Sequence, residues 1–432
     1  MKRITALALA AVMIMLALCS CGKKNDKNES KTDITLVSTD ITNDTRQDDT
    51  SVDNSFYKTE QSTKQGSSQN GKTEQETKRT IRFSEAGTGS SLPYAQYTVN
   101  NVLSSEQLKI YHVILNAVKA HQSLIDLGNV SSFDVLYAYN AVNKYNPSLF
   151  WFPLKYELIR YSGGYNLRMH YEYTAEQASG MSSKIENAAH QFMSEIPQSS
   201  DEYIVALNIY EALCRKVSYD KELKASSFNI YGALVDGSAT CEGYARAYQY
   251  LLSRRGIKSL LVSGRVGSEG HMWNKVCING KWYSTDVTLG DSDDTLNHFY
   301  FNRTDAEFLS DHTADKTIKP SDNVSVPYTM EYNIPLPVCT ADSDSFYKKS
   351  GNFIDSEQKL KSSVAAAIKK HNGASGVYEF GTAAAVPAYP QSGTPQYEKL
   401  KETLFEAVRS VSDRSFTFYG VADGHGFAIK LH

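Results

Sequence analysis

The chain has 432 residues, with 45 Lys and Arg against 48 Asp and Glu, a formal net charge of -3. Such a balance argues against a nucleic-acid partner, which calls for a basic arm or face. The length exceeds what a single hydrophobic core needs, so two or three domains are expected beyond any targeting segment.

In chain order, Lys2 and Arg3 precede an apolar run from Ile4 to Leu18, and Leu18-Cys19-Ser20-Cys21-Gly22 follows. This layout resembles a bacterial lipoprotein signal over residues 1–20 with Cys21 as the lipidated residue, because Ser20 is small where Leu18 is not. A cleaved secretory signal and an uncleaved anchor are the alternatives. All three place the mature protein outside the cytoplasm, and the lipoprotein signal places it on the outer face of the cytoplasmic membrane, held by lipid. Residues 21–82 are Lys, Asn, Asp, Ser, Thr and Gln with hardly an apolar side chain, the composition of a tether that cannot bury enough surface to fold.

Residues 83–200 read as a helix and hairpin region. Ser104 with Gln107 forms a capping box for a helix in which Leu108, Tyr111, Leu115 and Val118 share a face. A second helix is expected over Phe133 to Lys144, then an extended aromatic segment from Asn146 to Leu154, whose rings suit a core more than a substrate groove. Tyr156 to Tyr161 and Tyr165 to Tyr173 alternate around Ser162-Gly163-Gly164 as a hairpin. Helices follow near Ala175 to Ile196 and Asp201 to Lys216. Residues 340–432 form a separate unit. It has a helix from Asp355 to Lys370, a strand over Gly376 to Thr382, a helix from Gln396 to Val411 and a hairpin around Asp423-Gly424, with no chemistry of its own.

The chemistry lies between Gly237 and Asp291. Thr240 is expected to cap a helix with its hydroxyl, placing Cys241 in the first turn, where unpaired N–H groups and the helix dipole favour a negative sulfur. Tyr244, Ala247, Tyr248, Leu251 and Leu252 mark the buried face, and Arg254, Arg255 and Gly256 mark the stop. Downstream, HMWNKVCI and KWYSTDV flank Asn279-Gly280, the dipeptide most typical of a two-residue hairpin turn. That turn pairs residues whose numbers sum to 559, so Trp273 faces Asp286 and His271 faces Thr288. His271 and Asp286 are then diagonal neighbours on one sheet face, about 7 Å apart at Cβ, near enough for the carboxylate to hold an imidazole N–H. Trp273 and Trp282 share that face and are expected to wall the site.

The runs YGALVDGSATCEGYARAYQYLLSRRGIKSLLVSG, HMWNKV and KWYSTDVTLGD together resemble the catalytic core of the transglutaminase-like superfamily, a papain-related group. In it a helix-borne cysteine is followed by a histidine and an aspartate on neighbouring strands. The resemblance covers roughly Tyr203 to Tyr300. It implies an α+β fold with such a core over residues 201–335, an N-terminal α/β extension and a small C-terminal α+β domain. It also implies Cys241 as nucleophile, His271 as general base and acid, and Asp286 as the orienting group. A tryptophan or glutamine that often supplies an oxyanion donor upstream of the cysteine has no clear equivalent, and Tyr219 is the candidate in its place. The implied activity is acyl transfer from a peptide or amide through an acyl-enzyme, ending on water (peptidase or amidase) or on an amine (crosslinking). Wall peptides or surface proteins are the substrates that location suggests. The alternative is a cell-surface binding or structural protein that keeps the fold without turnover.

No CxxC pair or HExxH motif is present, and neither a metal nor a cofactor is expected. Asp291, Asp293 and Asp294 read as a solvated turn, not a calcium loop, and His425 as turn composition. A disulfide between Cys277 and Cys339 is an option that an oxidising compartment leaves open.

Overall fold

The computed structural model describes residue 99 and residues 103–432, other than 293–294, 316, 319–329, 332–335, 384–393 and 421–425. The signal and tether segments with Cys21, the aspartates 293 and 294, His425 and the Asp423-Gly424 turn lie outside the described residues. Among the described residues, no helix is long and apolar enough to cross a membrane.

The fold is mixed helix and sheet. The first part comprises helix α1 (Ser105–Lys119), strand β1 (Leu124–Gly128), helix α2 (Ser132–Tyr145) and strands β2 (Lys155–Tyr161) and β3 (Gly164–His170), the strands ordered β1-β3-β2. Ser104 and Gln107 close the capping box that opens α1. Ile110, Tyr111, Ile114 and Val118 of α1 pack with Val135, Leu136 and Tyr139 of α2 and with Leu167 and Met169 of β3. The aromatic segment after α2 is turned where an extended run was expected. Leu149 and Phe152 enter this first core, and Trp151 donates its indole N–H to the Val118 carbonyl at 3.2 Å. Phe150 faces the other way and packs on the second core. Strand β1, which the alternation did not signal, completes the sheet.

Helices α3 (Ala175–Glu195) and α4 (Glu202–Lys216) lead into the second core. Two short strands, β4 (Ser218–Tyr219) and β5 (Ser238–Ala239), run parallel and set the entry to helix α5 (Cys241–Ser253). Strands β6 (Ser259–Val266), β7 (Glu269–Ile278), β8 (Lys281–Thr285) and β9 (His312–Ala314) form a four-stranded antiparallel sheet in the order β9-β6-β7-β8. Tyr244, Ala247, Tyr248, Leu251 and Leu252 of α5 are wholly buried against Val276, Ile278 and Tyr283 of that sheet, the face the spacing marks.

The last part is a four-stranded sheet of β10 (Phe353–Ile354), β11 (Gly376–Thr382), β12 (Phe416–Gly420) and β13 (Gly426–Leu431), ordered β10-β11-β13-β12. A short helix α6 (Val287–Gly290) follows β8, and helices α7 (Leu360–Lys370) and α8 (Pro395–Arg409) pack on this last sheet through Val364, Ile368, Leu404 and Val408. The join to the second core is polar and aromatic. His298 stacks on Phe346 at 3.7 Å between ring centroids, with its Nδ1 3.1 Å from Glu379 on β11 and its Nε2 3.1 Å from Glu211 on α4.

Candidate active site

Cys241 heads α5. Thr240 has the extended backbone of an N-cap, but its hydroxyl makes no capping bond; it donates to the carbonyl of Ser227 at 3.2 Å, as the Thr240 N–H does at 2.9 Å. The same carbonyl explains Gly243. A Cβ there would stand 2.2 Å from the Ser227 oxygen, so only glycine lets the loop lie against the first turn of the helix. The expected cap is therefore replaced by a buried loop-to-helix contact, with Cys241 at the first position of α5 and partly exposed.

The turn residues Asn279 and Gly280 have φ of 51° and 77°, the left-handed pair that a type I′ turn needs. The β7–β8 ladder runs Ile278 with Lys281, Cys277 with Trp282, Val276 with Tyr283, Lys275 with Ser284 and Asn274 with Thr285, each pair summing to 559. Pairing stops there. Asp286 leaves the ladder and caps the short helix α6 (Val287–Gly290), its Oδ1 accepting the N–H groups of Thr288 at 2.8 Å and Leu289 at 3.2 Å. Thr288 thus sits in that helix and does not face His271.

Leaving the strand brings Asp286 closer to His271 than a diagonal pair would be. The His271 Nε2 lies 2.6 Å from Asp286 Oδ2, with the carboxylate fully buried and the ring nearly so. The Cys241 side chain also lies within interaction range of the His271 ring and, after Asp286, helps to hold its proton. Burial disfavours a charged imidazole, but the charge and hydrogen bond of Asp286, then those of Cys241, outweigh it, and the pKa of His271 stands at about 10. Burial likewise opposes ionisation of Asp286, and its two histidine neighbours overcome that and hold its carboxyl well below the usual range.

Two buried amides dock the helix on the strands, which the sequence could not show. Asn274 Nδ2 on β7 donates to the Ala245 carbonyl at 3.0 Å, and Gln249 Nε2 donates to the Ser259 carbonyl at 3.2 Å. Tyr244 adds a hydroxyl within hydrogen-bonding distance of the Val217 carbonyl, at 2.7 Å, and of the Asp291 carboxylate.

Of the aromatic candidates, Trp273 is buried with its indole roughly parallel to the His271 ring, 6.4 Å between centroids. Trp282 faces Cys277 near the turn and packs on the first core. It stands four residues before Asp286, about 13 Å along a strand, and the place expected for it in the site wall is not where it lies. Tyr219 is paired with Ala239, two residues before Cys241, and packs on the second core. The four described cysteines are free thiols. Cys277 and Cys339 are not joined: Cys339 is buried and takes hydrogen bonds from Lys275 at 3.4 Å and Ser284 at 3.8 Å.

A residue that the sequence did not signal completes the cluster. His312 on β9 is buried, with Nε2 3.2 Å from Asp286 Oδ2 and Nδ1 2.5 Å from Asp311 Oδ1. His271, Asp286 and His312 set three polar atoms within 4.8 Å of one another. Hydrogen bonds close this triangle, since both imidazoles turn Nε2 to the same carboxylate oxygen. A histidine on a short edge strand, 26 residues beyond the aspartate, carries no periodic or turn signal. Only the β9–β6 pairing, His312 with Val266, brings it in.

Comparison with known proteins agrees with the core. The model of the Transglutaminase-like superfamily matches residues 190–287, which include all three of Cys241, His271 and Asp286. The human and the mouse kyphoscoliosis peptidase are each 27% identical over 128 residues, covering 24% of this chain and 19% of the relative, so the match spans about a fifth of those proteins. A crystal structure of a TGase aligns over 43% of this chain and 55% of its own, at 13% identity and a TM-score of 0.25. The segment from residue 190 to 287, around the cysteine helix and the histidine-bearing hairpin, is thus similar to the transglutaminase-like superfamily.

Proposed function

We propose that the protein is a cysteine acyl-transfer enzyme in which Cys241, His271 and Asp286 act as a catalytic triad. The observation that carries this reading is the placement of His271 between the Cys241 thiol and the Asp286 carboxylate, 2.6 Å from the latter. The Cys241 thiolate attacks the carbonyl carbon of an amide and forms a C–S bond. The first-turn N–H groups of α5, which have no partner within the helix, face the oxygen that gains charge. The imidazolium of His271 gives its proton to the departing nitrogen as the C–N bond breaks, leaving a thioester. An acceptor, water or an amine, then loses a proton to His271, attacks the thioester and regenerates the thiolate. Trp273 lies along the ring of His271 and keeps bulk water from that side.

Tyr219, paired beside Ala239, is the side chain we assign to help the oxyanion donors. The lipid anchor at Cys21 places this activity on the outer face of the cytoplasmic membrane, where wall peptides and surface proteins are the available amides.

The test is incubation of the purified protein with glutamine-containing peptides and an added primary amine, read by mass spectrometry. Amine incorporation with loss of ammonia assigns crosslinking, and peptide hydrolysis assigns a peptidase or amidase. No change relative to Cys241→Ser would leave a non-catalytic binding protein as the better reading.

A further inference from the structure

His312 has no role in the three-residue scheme, yet its ring is wholly buried and both of its nitrogens face carboxylates. We propose that His312 is a positioning residue of this site: a buried imidazolium, clamped between Asp286 and Asp311, that fixes the orienting carboxylate and sets how tightly His271 keeps its proton. The inference rests on the acyl-transfer reading above and extends it from three members to a chain of six.

The proton count carries the argument. Nε2 of His312 lies 3.2 Å from Asp286 Oδ2, and Nδ1 lies 2.5 Å from Asp311 Oδ1. Carboxylates only accept, so a ring that satisfies both must donate from both nitrogens and carry a positive charge. The second oxygen of Asp311 accepts the Tyr300 hydroxyl at 2.9 Å, which holds Asp311 in place. The chain thus reads Cys241, His271, Asp286, His312, Asp311, Tyr300.

The surroundings suit a cation. Phe308 lies 3.9 Å from the His312 ring centroid, Trp273 5.0 Å and Tyr300 5.6 Å, so three aromatic rings surround the charge. The titratable groups that face the ring are Asp286 beyond β8, Asp311 beside it, Tyr300 and, 5.8 Å between centroids, His271 on β7. Burial works against the charge, and the two aspartates outweigh it, so the His312 pKa is raised.

Two consequences follow. Asp286 has both oxygens engaged, Oδ1 by the Thr288 and Leu289 N–H groups and Oδ2 by both histidines, so it cannot rotate away from His271. A fixed positive charge near His271 also offsets part of the pull of Asp286, and so keeps the imidazolium able to release its proton to a leaving group.

The test uses the full-length protein and needs no substrate. Ring-nitrogen NMR of the wild type at pH 8 should find both nitrogens of His312 protonated; a single ring proton would overturn the proposal. In His312→Gln, an amide can still donate to Asp286 but the charge is gone. The titration midpoint of His271 should then rise by about one to two pH units, from Coulomb's law across 5.8 Å at an effective dielectric of about 20. A midpoint that does not move, even with lowered thermal stability, would show a purely structural residue and overturn the proposal. If His312→Gln does not fold, the wild-type proton count decides alone. Absence of acyl transfer in the wild type would sink the enzyme reading and leave both NMR results to judge this one.

Discussion

Asn274, three residues along β7 from His271, donates its buried amide to the carbonyl of Ala245, four residues into the helix that Cys241 heads, at 3.0 Å. This bond sets the spacing between the sulfur-bearing helix and the imidazole-bearing strand. Replacing Asn274 with Ala leaves the Ala245 carbonyl buried with one partner fewer, at a cost of about 1–3 kcal/mol. Acyl transfer should fall further than stability explains, because a displacement of even about 1 Å between reacting groups is costly. Thermal unfolding and kcat/KM on one preparation separate the two effects; an intact rate with lowered Tm would show that the bond does not set the spacing.

Asp286→Asn removes the charge that holds the His271 proton and one acceptor of His312. We expect kcat/KM to drop on the order of 10³ to 10⁴, the loss that the orienting carboxylate of a triad carries. Alkylation of Cys241 by iodoacetamide at neutral pH should slow as well, since the imidazolium beside the sulfur is no longer favoured. Unchanged alkylation would show that Asp286 does not act through His271.

With the pKa of His271 at about 10, the proton needed by the leaving amine is present across neutral pH and is lost as pH rises through about 10. The rate should therefore fall on an alkaline limb near that value. The same shift bears on stability. A histidine whose folded pKa lies above the unfolded value of about 6.5 stabilises the fold fully below 6.5, and the contribution disappears as pH rises through about 10. Asp286, held low, contributes above about 3.9 and loses its contribution as pH falls below that. Activity measured up to pH 11 and Tm measured from pH 2 to 11 test both signs; an alkaline limb near pH 7 would contradict the His271–Asp286 pairing.

The junction between the core and the C-terminal sheet should loosen on the alkaline side. Burial lowers the His298 pKa, but Glu211 and Glu379 outweigh it and the value is raised, so the bridge is complete below about 6.5 and weakens as pH rises through the raised value. Glu379→Gln should reduce this pH dependence of Tm. Hydrogen exchange around Phe346 and β11 reports the loosening directly, and exchange that is indifferent to pH would refute it.

Gly243→Ala should destabilise by about 1–3 kcal/mol, because a methyl 2.2 Å from the Ser227 carbonyl forces the loop off the start of α5. A fluorescence melt and the alkylation rate of Cys241 should both change. If neither moves, the loop yields freely and does not support the site.

The register of the β7–β8 hairpin was legible because Asn279-Gly280 admits one tight turn, and every observed β7–β8 pair follows from it. The point where pairing ends was not. A strand pattern continues through Asp286, and only the tertiary cap on Thr288 and Leu289 takes it out of the ladder. The buried face of α5 was readable from its spacing, whereas the partner of the Thr240 hydroxyl depended on a loop 13 residues earlier. Trp282 shares a sheet face with His271, but the same register sets it opposite Cys277 beside the turn, and sharing a face does not bring it to the site. His312 and Asp311 became visible only through the pairing of β9 with β6.

The sulfur, its base and the two charged groups behind that base come from positions 241, 271, 286 and 312, and separate contacts bring each into place. A chain not yet folded carries the thiol with none of these groups nearby. Any reactivity that needs this cluster therefore arrives only with the final tertiary contacts.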